Sequence, residues 1–134
     1  MADSFQFELV SPEKLLMSET VTAVSVPGSE GFFTVMAKHA PVMTTIKPGI
    51  VLVTPESGAE QRIFVRGGFA DVNENGLTLL AEHAEPADEV DMAALDQSIK
   101  DAEEDVADAE GVEAKAKAQH ALDQLREARA GLAG

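Results

Sequence analysis

Histidines, serines, paired carboxylates and glycine pairs are where chemistry would start in this chain, and their spacing points away from it. His39, His83 and His120 fall in three separate segments, and none stands at strand or helix spacing from a second His or Cys, so no metal-ligand pair is formed. Cys is absent, which removes disulfides, thiolate nucleophiles and Cys-ligated metals together. With 24 Asp and Glu among 134 residues, neighbouring carboxylates arise by number alone, and nothing marks a pocket that would hold one of them protonated as a general acid. Ser18, Ser25 and Ser29 lack the Gly-x-Ser-x-Gly elbow of a nucleophile, and Gly67-Gly68 lacks the Lys-Ser/Thr or helix start of a phosphate cradle. The plain reading of Gly67-Gly68 is a bulge or a close backbone crossing. A small hydrolase built on a carboxylate pair is therefore the weakest of the functional classes considered.

Composition narrows the classes further. The chain is 45% apolar but has no Trp or Tyr and only 6 Phe, so its core must be aliphatic, which disfavours an aromatic-lined ligand pocket. A net charge of -14 repels phosphate backbones and anionic lipid headgroups, so no nucleic acid is expected as a partner. No run approaches the roughly 18 apolar residues of a membrane span. Met1-Ala2-Asp3-Ser4-Phe5 carries an acid where a signal peptide would carry basic residues, and the chain is expected to stay in the cytoplasm, without direct membrane insertion.

The elements divide near Pro86. Before it, apolar and polar residues alternate over short runs: Phe5, Phe7 and Leu9 alternate with Gln6 and Glu8, and Val21 to Val26 forms another strand that Pro27-Gly28 breaks. Ile50-Val51-Leu52-Val53 has the unbroken apolar character of a strand covered on both faces. Asn75-Gly76, between Phe69–Val72 and Leu77–Leu80, is the strongest short hairpin signal. The expectation is an all-β sandwich of about ten short antiparallel strands over residues 1–86.

After Pro86 the apolar period lengthens from two to about 3.5. Leu95, Ile99, Ala102, Val106 and Ala109 form one stripe; Ala114, Ala118, Ala121, Leu125, Ala128 and Leu132 form another. Asp88 or Asp91 can cap the first helix, and Gly111 supplies the break, so residues 88–134 are expected to form an antiparallel helical hairpin, giving segregated α+β overall. Six of those eleven stripe positions are Ala, which offers one methyl where Leu offers several carbons, and each buried CH₂ is worth roughly 0.8 kcal/mol. The hairpin is thus expected to be a loosely held, movable arm. Its charge is uneven, -9 over Asp88 to Glu110 and +1 from Glu113 onward.

Three blocks carry a resemblance. Val26-Pro27-Gly28-Ser29-Glu30-Gly31, then His39-Ala40-Pro41, then Ile63-Phe64-Val65-Arg66-Gly67-Gly68-Phe69-Ala70, in that order and near those spacings, resemble the epsilon subunit of the F-type ATP synthase. Val10-Ser11-Pro12-Glu13 and Ile46-Lys47-Pro48-Gly49 extend the match. The chain departs from the family at Thr34, usually Gly, and at Ala37-Lys38, commonly Pro-Gly. The resemblance implies a non-catalytic central-stalk subunit that turns with the gamma subunit and the membrane c-ring, coupling proton flow to ATP synthesis elsewhere in the complex. It implies a peripheral place on the cytoplasmic face of the bacterial inner membrane, held by protein partners. It marks Glu30, Gly31, Phe32, His39, Ala40 and Pro41 as subunit contacts. Some family members bind ATP at the start of the arm, but Ala94 stands where their Arg would touch the nucleotide, so no cofactor is expected. The family also uses the arm as a brake on the alpha and beta catalytic subunits; here only Lys115, Lys117, Arg126 and Arg129 could serve, so inhibition is expected to be weak. On composition and periodicity alone, a β-sandwich adaptor with a helical tail for an unrelated partner is the alternative.

Overall fold

Alternation of apolar and polar side chains builds the first part of the molecule. The computed structural model describes residues 4–37 and 40–133. His39 lies outside the described residues. Nine strands are present among them, one fewer than about ten: β1 (Phe5–Val10), β2 (Leu15–Gly28), β3 (Gly31–Met36), β4 (Val42–Ile46), β5 (Gly49–Pro55), β6 (Gln61–Val65), β7 (Gly68–Asn73), β8 (Gly76–Ala81) and β9 (Ala84–Pro86). The long β2 is shared by two layers. Its first half pairs with β1, which continues through β8 and β7 to β4; its second half pairs with β3 on one edge and with β5 on the other, followed by β6 and β9.

Two expectations are corrected here. β2 does not stop at Pro27 but runs through it to Gly28, since Pro27 has no N–H to lose and its carbonyl accepts from the Lys47 N–H at 2.9 Å. The pairing is not wholly antiparallel: β1 and β8 run parallel. A tight turn, closed by Ser11 N–H to Lys14 O at 2.8 Å, forces β1 antiparallel to β2, and that fixes its direction beside β8.

The inward faces meet in an aliphatic core. Phe7, Leu9, Val21, Val24, Val26, Val35, Val51, Val53, Val65, Leu77 and Leu79 are all buried, and among the described residues no polar or charged side chain joins them. Gly68 is the close crossing read from the sequence: its φ is +134°, and a Cβ there would lie 1.9 Å from the carbonyl oxygen of Leu80. The β7–β8 loop is Glu74-Asn75, with Asn73 facing Gly76, so the turn falls one residue earlier than the Asn-Gly pair suggests. Gly76 is needed for another reason, since a Cβ would lie 2.0 Å from the Gln6 oxygen of the neighbouring β1.

A single 3₁₀ turn, Ala87–Glu89, leads to two helices, α1 (Met92–Asp108) and α2 (Val112–Ala133). Asp91, not Asp88, is the cap: its Oδ1 accepts the Ala94 N–H at 3.1 Å. Gly111, at φ +89°, makes the reversal. The α1 stripe falls as expected, with Leu95 and Ala102 buried and Ile99, Val106 and Ala109 half-buried. On α2 the stripe is corrected. Ala114 and Ala121 are exposed, and Leu122 is buried in place of Ala121, because a straight helix needs about 3.6 residues per turn where a heptad count allots about 3.5, so the packed face is met one residue later.

Candidate subunit-docking surfaces

The sandwich has two outer faces, and they are treated differently. On the layer of β5 and β6, Ile50 stands opposite Phe64, and both point away from the core. Phe64 is only 2% exposed because Leu95 and Ala128 pack on it, with Val90, Met92, Ile99, Leu125 and Leu132 around them. The helical arm is the cover of this face. Polar contacts flank the apolar seam: Lys47 Nζ meets Glu127 Oε1 at 2.8 Å, and Arg62 Nη2 donates to the Gly131 carbonyl at 2.8 Å.

On the other layer, Phe69 of β7 and Leu80 of β8 are cross-strand partners, with Thr45 and Val10 extending the row to β4 and β1. Phe69 is 49% exposed and Leu80 43%. Met43, in the next row beside Asp71, is 69% exposed, and Leu15 and Leu16 stand exposed next to β1. An apolar row of large side chains left open on a sheet is a partner-binding feature. Sequence reasoning passed over Met43, Phe69 and Leu80. Alternation with buried Ala70 and Val72, or Leu77 and Leu79, could have found them, since a large apolar residue out of phase with its strand must face outward.

The block singled out from Glu30 to Pro41 is split. Glu30 lies in the β2–β3 turn, Gly31 begins β3 at φ +132°, and Phe32 follows with 57% of its surface exposed, beneath the Lys47 ammonium at 5.6 Å from the ring centroid. That end is tied to β4 by Ser29 N–H to Thr45 O at 3.0 Å. Ala40 and Pro41 lie beyond the far end of β3, about 13 Å along the strand from Phe32 to Met36. There Pro41, Met36 and Phe5 border a cleft of about 340 Å³ that Asn73 and Glu74 complete. Two ends of one edge strand thus replace a single patch.

Of the four cations singled out on the arm, Arg126 reaches Glu103 at 3.2 Å and Arg129 hydrogen-bonds Asp96, both across the hairpin. The bond from Arg129 holds the Asp96 carboxyl below the usual aspartate value, with the guanidinium charge adding to it and partial desolvation opposing; Arg129 is raised in turn by Asp96. Lys115 and Lys117 are exposed near the start of α2. Among the described residues no three His, Asp or Glu side chains gather as metal ligands, and no helix is long and apolar enough to cross a membrane.

A β-sandwich that carries a helical hairpin on one outer face and an open apolar row on the other is the class of protein that fold and surface define. Residues 4–87 match the family of the ATP synthase delta/epsilon chain beta-sandwich domain. Over 125 residues the chain is 57% identical to the ATP synthase epsilon chain of Mesorhizobium japonicum, covering 93% of each. It is 51% identical to that of Parvibaculum lavamentivorans over 129 residues, covering 96% of this chain and 98% of the relative. Among solved structures, a chain of the Euglena gracilis mitochondrial ATP synthase, in an OSCP/F1/c-ring complex, superposes with a TM-score of 0.78 at 25% identity, covering 96% of this chain and 81% of that one. A chain of the Tetrahymena thermophila mitochondrial ATP synthase central stalk and c-ring shares the fold, with a TM-score of 0.73 at 14% identity and 93% of each chain covered. The chain belongs to the ATP synthase epsilon chain family.

Proposed function

We propose that the chain is a non-catalytic rotor part of a bacterial ATP synthase, seated between the gamma subunit and the membrane c-ring, at the cytoplasmic face of the inner membrane. The observation that carries the proposal is the open row of Phe69 and Leu80 on a sandwich whose opposite face is already covered by its own arm. A face of that kind accepts a long-lived partner, and the gamma subunit is the occupant this family membership favours. A rigid, close-packed aliphatic core suits transmission of torque, because such a core resists compression. The Glu30–Phe32 end and the Ala40–Pro41 end, with His39 between Lys38 and Ala40 in sequence, remain the proposed sites for ring and gamma contacts. The domain division at residues 1–86 and 88–134 is proposed to separate the load-bearing part from the arm.

Nucleotide does not enter this reading. The Ala94 side chain has no donor for a phosphate, its N–H is taken by Asp91, and the Asp91 carboxylate is committed to capping α1. Inhibition by the arm is proposed to be weak, since, of the four cations singled out for it, Arg126 and Arg129 already face carboxylates of α1, which leaves Lys115 and Lys117 as exposed positive charge toward the alpha and beta subunits. The chain has no native Cys, so a single cysteine can be placed at will. With Phe69→Cys in the assembled complex, a short bifunctional reagent is expected to join the chain to gamma, whereas with Ser57→Cys, on the β5–β6 loop, it is not. Equal cross-linking by the two variants, or none by Phe69→Cys, would overturn the assignment of the face.

A further inference from the structure

Lys47 belongs to two contacts at once. Its ammonium lies over the Phe32 ring, 5.6 Å from the centroid, and within 2.8 Å of Glu127 Oε1 on α2, while its side chain is only 15% exposed. Its own backbone is fixed, because its N–H is held by the Pro27 carbonyl at 2.9 Å. Phe32, Ile50, Arg62, Glu127 and Gly131 border one cleft of about 100 Å³, so the exposed end of β3 and the seat of the arm share a boundary. A single positive charge serves as the ligand of an aromatic face and of a carboxylate, and a group that covers that face must move the ammonium or pair with it.

We infer that Lys47 couples the Glu30–Phe32 end of the sandwich to the seat of the helical arm, so that a partner covering Phe32 competes with Glu127 for the same ammonium and loosens the arm. The partner that fits is a protein loop presenting an apolar side chain to Phe32 with a carboxylate or carbonyl beside it for Lys47. This rests on the proposal that the Glu30–Phe32 end meets another subunit, and it gives that contact a consequence. By linkage the effect is reciprocal: an arm released from its seat frees Lys47 for the partner, and a docked arm weakens the partner's hold by the same factor.

The test is made on the isolated full-length chain, where no partner is present, so its failure leaves the docking proposal standing and a failure of docking leaves the coupling measurable. Native-state hydrogen exchange of the α2 amides reads arm release, because a released helix opens more often than a docked one. Glu127→Gln and Lys47→Met are each expected to raise α2 exchange about threefold, the size of a modest ion pair, and the double substitution no further than either alone. Phe32→Leu keeps apolar bulk but removes the π face; it is expected to change α2 exchange in the wild-type background and to have no effect once Lys47→Met is in place. Far-UV circular dichroism identifies any variant that fails to fold; Phe32→Met, which also keeps apolar bulk without a π face, then takes the place of Phe32→Leu with the same expectation, and Phe32→Tyr, which retains an aromatic face, is the control expected to leave exchange unchanged. Equal effects of Phe32→Leu in both backgrounds, or additive effects of Glu127→Gln and Lys47→Met, would overturn the inference.

Discussion

Arg62 of β6 donates from Nη2 to the carbonyl of Gly131, in the last turn of α2, at 2.8 Å. The last carbonyls of a helix have no partner within it, so the sandwich supplies a cap that the arm lacks when it stands alone. Docking and the integrity of the last turn are thereby one event. Arg62→Met should lower protection of the final turn of α2 by about 0.5–1 kcal/mol, as for a single hydrogen bond, and leave the strands unchanged by hydrogen exchange.

Among the described residues, sixteen buried ones form the core between the sheets, whereas three, Phe64, Leu95 and Ala128, form the buried centre under the arm. The arm should therefore open well below global unfolding. Phe64→Ala removes the ring from the smaller cluster, and large-to-small changes of this kind cost about 3–5 kcal/mol when the site stays closed. The expected result is loss of α1 and α2 protection with the exchange pattern of β7 and β8 retained. Uniform loss across the whole chain would mean that arm and sandwich unfold together.

Phe69 and Leu80 face each other across neighbouring strands of the open face and contribute little to the free chain. Phe69→Glu should shift stability by no more than about 0.5 kcal/mol, as surface changes do, yet abolish stable association with gamma, where burying an unpaired carboxylate is costly. Thermal melting of the free chain and co-purification of the complex separate the two effects.

Arg129 lowers the Asp96 carboxyl from its ordinary value, and the sign of the pH effect follows. The stabilisation is fully present above the unfolded-state value of about 3.9 and is lost as pH falls from there through the lower folded value. Wild type should exceed Asp96→Asn in arm protection at pH 7 by a margin that stays flat to about pH 5, and the two should converge only below about pH 4. A difference already fading between pH 7 and 6 would point to another group.

Much of this was legible because it rested on local rules. Alternation at Phe5, Phe7 and Leu9 defined one face of β1, Gly67-Gly68 announced a crossing that at Gly68 admits no Cβ, and the 4, 3, 4 spacing from Leu95 placed the α1 stripe. What escaped was set by distant partners. The first half of β2 shows exposed Leu15 and Leu16 and no clean alternation, so its pairing with β1 is visible only in three dimensions. The split of the Glu30–Pro41 block follows from β3 lying full length between its two ends. Leu122 was missed because a heptad count on an Ala-rich helix has few large residues to correct its phase.

The central claim is that the chain works by seating, without chemistry, in a rotor. Its most direct test is proton-driven ATP synthesis in membrane vesicles depleted of this chain, measured after adding back wild type or Phe69→Glu. Wild type is expected to restore synthesis and Phe69→Glu to fail at equal concentration. Synthesis that persists without the chain, or that the variant restores as well as wild type does, would contradict the account.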